Sequence, residues 1–316
     1  MMTISLLETS GLTALAALKI GSRDRTVLLL GAMFFTMVLI SAYLGWSATN
    51  TVNAIYDSAV PVLKAQGRPV PPNPVGETSP LALFRNMVTY IALLGALASL
   101  VLGHQIVAAD RKSGALPLLF SRPIGRPGLA LGKIAALALA ITALLVFAAI
   151  VNALTMLLLP GLALNAAVWS GLVKFYSISV LYLLAFGLLG AASAAYFKSQ
   201  SMALLVPVTV WLALTFIVPQ LTANISPMAA LNPLSANITP PTGRFFSVTA
   251  AVLGPVSIAE SYRYLASSAL DILPGARATL TGQSALLSLI LANLVLAAGL
   301  AFAMQRLDVT RSSYND

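Results

Sequence analysis

The chain has 316 residues, 59% of them hydrophobic and only 9% charged. Soluble domains carry charge on about a quarter of their residues, so this composition excludes a soluble globular protein and fits an all-α polytopic protein immersed in lipid. Cysteine is absent and His104 is the single histidine, which leaves no disulfide framework, no thiolate site and no His cluster for a metal. The net charge of +9 is scattered over short connections. That pattern reads as topology and lipid-headgroup contact, not as a nucleic-acid surface.

Before any full-length apolar stretch, residues 13–25 mix small apolar positions with Lys19, Arg23 and Arg25. This suits a helix lying at a membrane interface, and it does not resemble a cleaved signal. A membrane-crossing helix needs about 20 mostly apolar residues. Six stretches meet that length: 26–49, 83–109, 129–159, 171–197, 202–222 and 283–304. Together they predict a single transmembrane domain over 1–316. The connection 50–80 contains GRPVPPNPVGETSP, a run that favours polyproline-like extension. The longest connection, 223–282, is turn-rich and then helix-compatible, with Ile258, Tyr262, Leu265 and Ala269 at helical spacing. A short amphipathic helix on the outer membrane surface is expected there.

Lys and Arg set the orientation. One side of the layout holds 11 of them and the other 7, the latter diluted over the two long connections. Both termini are therefore expected in the cytoplasm, with 50–80 and 223–282 outside.

The most informative stretch is the connection 110–128. Asp110, Arg111 and Lys112 stop the second span; Leu116, Leu118, Leu119 and Phe120 form a short apolar face; Arg122-Pro123 and Arg126-Pro127 break the helix twice. Two readings fit these residues. One is a basic stop-transfer loop whose leucines dip into the headgroups; the other is a partner surface, because exposed apolar patches mark such surfaces. No GxxxxGK[ST] phosphate loop occurs in the sequence, so nucleotide hydrolysis would need another polypeptide.

Asp110, Ser113, Gly114, Leu118, Leu119, Ser121, Arg122, Pro123, Ile124, Arg126, Leu131, Gly132 and Lys133 together resemble the loop of permease subunits of type-2 ABC exporters. Within them the stretch is most similar to the NosY-like subgroup, whose relatives serve nitrous-oxide reductase maturation. The resemblance implies that this loop couples the chain to a separate ATPase, through Asp110, Arg111, Lys112, Gly114, Leu116, Leu118, Leu119, Arg122, Pro123 and Arg126. In the resembled family Asp110-Arg111-Lys112 is usually Glu-Arg/Lys-Glu, so the second acidic position is basic here. The resemblance further implies two ATPase copies binding ATP and Mg, no cofactor on this chain, and a second permease, a homodimer before a heterodimer. It also implies a bacterial inner-membrane location, an elbow helix at 13–25, and re-entrant or interfacial helices between spans five and six. The length of 223–282 leaves room for a periplasmic partner.

Polar and small residues within the spans complete the reading. His104 and Gln105 lie near the cytoplasmic end of span two, where an interfacial hydrogen bond or an ATPase contact is favoured over a proton relay. Arg85 and Lys174 would snorkel at outer helix ends. Asn152 and Asn293 would bridge helices, and Gly187, Gly190, Ala191 and Ala194 give span four a face for close packing. Pro207 and Pro219 bracket span five and permit a kink. The resemblance makes Trp211, Phe216 and Gln220 route-lining or dimer-contact positions; Trp211 facing lipid is the alternative. Competing functions are a subunit that drives an extracytoplasmic partner mechanically, and an ATP-independent secondary transporter, which would show buried span charges and inverted repeats.

Overall fold

A computed structural model describes residues 6–21, 24–77, 79–112, 126–159, 162–222, 243–272 and 280–307. Among these no strand occurs, and six helical segments are long and apolar enough to cross a membrane. The protein is an all-α, multi-pass membrane protein.

Helix α1 (Leu6–Gly21) precedes α2 (Arg25–Ala65). Asp24 caps α2: its carboxylate accepts from the Thr26 backbone N–H at 2.7 Å and from that of Val27, a cap worth about 1 kcal/mol. At 1.5 Å per residue, the 41 residues of α2 run about 60 Å, twice the roughly 30 Å hydrocarbon core. The crossing expected over 26–49 lies within this helix, and the correction falls on the connection 50–80, whose first part is helical because α2 continues to Ala65 as a mast. It stops at Gly67, whose φ of +67° supplies the left-handed turn. There Gly67 N–H donates to Lys64 O and Arg68 N–H to Leu63 O. The proline-rich run then folds back on the mast, with Tyr56 donating to Pro71 O at 2.9 Å and Asn73 to Asn53 at 2.9 Å.

A helical turn, α3 (Pro74–Glu77), and a 3₁₀ turn at Pro80–Phe84 lead into span two. That span comprises α4 (Arg85–Tyr90), a π-helical turn at Ile91–Gly95 and α5 (Ala96–Lys112). Span three is α6 (Arg126–Leu158) and span four is α7 (Ala166–Tyr196), which starts on the Asn165 side-chain cap. Span five is α8 (Gln200–Leu212), a π-helical turn at Ala213–Ile217 and α9 (Val218–Leu221). Pro219 has no N–H for the Thr215 carbonyl four residues back, and the wider π turn accommodates that loss. Helices α10 (Arg244–Leu253) and α11 (Ile258–Ala269) follow, then span six, α12 (Gly282–Arg306), opened by a Thr281–Ser284 capping box.

Spans two and four are the core: 67% of each apolar window is buried, against 17–28% for the other four. Their contact depends on glycine. A methyl group on Gly103 would collide with the Gly187 carbonyl, and one on Gly190 with the Leu100 carbonyl. Ser99 adds a 2.6 Å hydrogen bond to Leu183 O across the same seam. The small-residue face of span four is thus a packing face. Asn152 donates to Tyr176 OH at 2.8 Å and Asn293 to Leu181 O at 2.9 Å, so each bridges its span to span four.

Between spans five and six the re-entrant arrangement that the resemblance implies fits the structure, and the surface helix expected from the spacing does not. Helices α10 and α11 meet at 88°. Span five ends and span six begins at the same end of the bundle, so the pair enters and returns without crossing. Ile258 and Tyr262 are buried as the spacing suggests, but Glu260, Ser261 and Arg263 are buried too. Tyr262 stacks on Tyr182 of α7 with centroids 4.2 Å apart, and its hydroxyl lies 3.1 Å from Ser179 Oγ. Ser179 is thirteen residues, about 20 Å, along α7. Helix α11 is a re-entrant plug, not a surface helix.

Candidate coupling site at the elbow end

The starts of α2, α6 and α8 and the ends of α5, α7 and α12 share one end of the bundle with α1. Residues 113–125 connect α5 to α6 there, and Ser113, Gly114, Leu116, Leu118, Leu119, Phe120, Ser121, Arg122, Pro123 and Ile124 lie outside the described residues. Both roots of the connection are described, and both are tied into the bundle.

At the first root, Asp110 pairs with Lys133 of α6 at 2.5 Å, and Lys133 Nζ also donates to Ile106 O at 2.7 Å. Both side chains are largely withdrawn from solvent, the Lys133 side chain at 3% exposure and that of Asp110 at 10%. Arg111, 2% exposed, donates to Ala194 O and Phe197 O, each at 2.6 Å. These groups lie at the C-terminus of α7, where helix carbonyls lack intrahelical donors and the dipole end is negative. Lys112 is exposed. At the second root, Arg126 donates to Gln305 O near the end of α12 at 2.5 Å. One connection is thereby bonded to spans three, four and six.

The Gly132-Lys133 pair serves two contacts at once. A side chain on Gly132 would come within 2.5 Å of Thr13 Cβ and 2.8 Å of Ser10 O. Glycine here lets α1 lie against α6. Ala14 and Ala17 of α1 are buried in that contact, while Leu12 and Leu15 are 64% and 66% exposed. Such a helix suits an interface with lipid. The elbow begins at Leu6 rather than 13 and ends at Gly21.

His104 is 3% exposed and hydrogen-bonds to the backbone of Ala203 in α8. It therefore faces span five inside the chain, correcting the expected interfacial or ATPase-facing position. Trp211 is buried rather than lipid-facing, with Phe216 edge-on to it at 5.9 Å. Phe216 is 37% exposed and Gln220 is exposed. These two are open to a neighbour or to lipid, and Trp211 packs behind Phe216. Arg85 and Lys174 are exposed at the end opposite the elbow.

The opposite end holds groups that sequence reasoning missed. Glu260 and Arg263 of α11 are 4% and 8% exposed. Thr222 donates to the Glu260 carboxylate, while both terminal nitrogens of Arg263 are buried without a hydrogen-bond partner. Their i, i+3 spacing, beside the apolar positions Ile258 and Tyr262, was the available signal.

A family model for ABC-2 family transporter proteins matches residues 17–309. The chain belongs to that family. The match begins inside the elbow and runs through the last span, so the six crossings and the re-entrant pair all fall within the ABC-2 unit. No curated protein matches the chain closely enough to be counted a relative. An ABC-2 membrane protein is a transport component that works with an ABC ATPase. Among the described residues no group of three His, Asp or Glu side chains is placed to hold a metal ion.

Proposed function

We propose that this chain is the permease subunit of an ABC exporter, driven by a separate ATPase that docks on the connection 110–128. The observation that carries the reading is the anchoring of both roots of that connection, through Asp110–Lys133, Arg111 and Arg126. A force applied to the connection reaches spans three, four and six through short polar contacts rather than through a slack loop. Asp110 and Arg111 act in this scheme as positioning residues, because their side chains are engaged inside the chain. Lys112, Gly114, Leu116, Leu118, Leu119, Arg122 and Pro123 form the surface offered to the ATPase, with Arg126 at its edge. ATP and Mg bind to the ATPase. The elbow end faces the cytoplasm of a bacterial inner membrane, both termini included, as the 11-to-7 distribution of Lys and Arg supports. Two such chains and two ATPases make the transporter, with Phe216 and Gln220 on a face available to the second copy.

The test is co-purification of the full chain from its host in mild detergent. A phosphate-loop ATPase accompanies the wild type and is lost from Leu118→Asp and from Arg122→Glu. Its absence from the wild type, or its retention by both variants, removes the reading.

A second reading rests on the mast. Sixteen residues of α2 stand beyond position 49, with Ile55 63% and Val62 54% exposed. A subunit that pushes an extracytoplasmic partner would present such a lever, in line with the similarity of 110–133 to the NosY-like subgroup. Ile55→Glu with Val62→Lys would then abolish partner binding while the ATPase stays bound. Unchanged partner binding argues for simple export.

A further inference from the structure

A cavity of about 350 Å³ lies between α1, α2, span two and α6. That is more than twice the roughly 150 Å³ of an apolar cavity able to take up a benzene-sized ligand. Its walls are apolar along most of their length: Leu18 of α1, Phe34 of α2, Leu102 of α5, and Ile141 and Leu144 of α6. Water is a poor occupant of such a space, because it needs two to four polar partners.

The shape is a slot along the bundle axis. It follows span two from Asp110 to Gly95 and α6 from Lys133 to Phe147. Those fifteen and fourteen steps correspond to about 21–23 Å, somewhat more than one leaflet of a roughly 30 Å hydrocarbon core. At the deep end Phe147 lines the slot and stacks on Phe35 of α2 with centroids 4.6 Å apart. At the elbow end the lining turns polar, with Asp24, Gln105, Asp110 and Lys133. The flanking surfaces of α2 and α6 are apolar and open, with Leu28 57%, Leu29 71% and Leu139 55% exposed. The slot therefore borders the region that lipid chains fill.

We propose that this slot binds one acyl chain of a phospholipid from the leaflet at the elbow end, with its headgroup at Asp24 and Gln105. The charges favour a zwitterionic, amine-bearing head. Asp24 offers a carboxylate for an ammonium, and exposed Arg25 beside it offers a guanidinium for the phosphate. Lys133 is committed to Asp110 and Ile106 O, so it closes the slot's floor without drawing an anion in. The occupant wedges the elbow, α2 and α6 apart next to the anchored root of the connection. Lipid occupancy and the position of that root are thus coupled. The site does not depend on the export reading.

Gly31 supplies the test. It lines the slot, and a Cβ built there meets nothing within 4 Å, so a side chain enters open space without a clash. The full chain is purified in mild detergent, and bound lipid is counted by native mass spectrometry. Delipidated protein is then reloaded with phosphatidylethanolamine, phosphatidylglycerol or palmitic acid. The wild type retains one phospholipid per chain and reloads best with phosphatidylethanolamine. In Gly31→Phe, affinity falls about tenfold, the effect of displacing about two buried methylenes. Leu139→Phe, on the neighbouring open face of α6, leaves binding unchanged, and thermal melting confirms that both variants are folded. A wild type that retains no phospholipid, a folded Gly31→Phe that binds as the wild type does, or preferential loading of palmitic acid each overturns the proposal.

Discussion

Asp110 and Arg111 at the elbow end are as deeply buried as Glu260 and Arg263 at the opposite end, yet the two pairs are served differently. Asp110 meets Lys133, and Arg111 meets two carbonyls at the end of α7. Glu260 accepts from Thr222, but Arg263 keeps both terminal nitrogens without a partner. Burying charge costs several kcal/mol per ion unless geometry and hydrogen bonds offset it. The elbow end offsets that cost and gains a rigid joint between spans. The opposite end offsets less of it, through Thr222 and the attraction between Glu260 and Arg263, so its charges add little to the stability of the fold. The difference teaches that buried charge is structural cement only where each group reaches a partner on another element.

Breaking the elbow-end pair gives the largest expected effect. Lys133→Met takes from the buried Asp110 its cationic partner on α6, and the folded state should lose about 3–5 kcal/mol, read as a drop in thermal or denaturant stability of the purified chain. Adding Asp110→Leu should restore most of that loss. A neutral single variant would mean that the Asp110–Lys133 contact does not hold this root of the connection. Gly132→Leu comes next: a side chain there displaces α1 from α6, costing about 1–3 kcal/mol and exposing the 6–21 segment to protease in membranes. Unaltered cleavage would show that the elbow does not rest on Gly132. At the other end, the double variant Glu260→Gln/Arg263→Met should stay within about 1 kcal/mol of wild type in the same stability assay. A loss as large as that of Lys133→Met would erase the contrast between the two ends. The smallest effect belongs to Asn293→Leu, about 0.6–1 kcal/mol, the value of one hydrogen bond between membrane helices.

Features governed by local hydropathy were legible in the sequence. The six crossings, the small-residue seam at Gly187 and Gly190 and the bridging of Asn152 and Asn293 all follow from one-dimensional patterns that lipid enforces. Three features were not. The mast is built from residues such as Asn50, Asn53 and Asp57, whose polarity marks the end of the hydrocarbon but not the end of the helix. The depth of α11 depends on Tyr182 and Ser179, some eighty positions away in sequence. The apolar spacing of Ile258 and Tyr262 looks the same for a surface helix as for a plug. Asp110 and Arg111 read in the sequence as helix-stopping charges that couple to the ATPase, and only their bonds to Lys133 and to the end of α7 show that both side chains are engaged inside the chain. The proposed docking residues 113–125 lie outside the described residues, so their place in the site rests on the sequence.

The most direct test of the central claim, that the connection between spans two and three receives the ATPase, is site-specific photocrosslinking in intact membranes. A photoreactive phenylalanine analogue is placed at Leu118, and in a second chain at Leu154, which lies on the membrane-facing side of α6 and is 53% exposed. The account predicts that a phosphate-loop ATPase is captured from position 118 and not from 154. Capture from neither position, or equally from both, would contradict it.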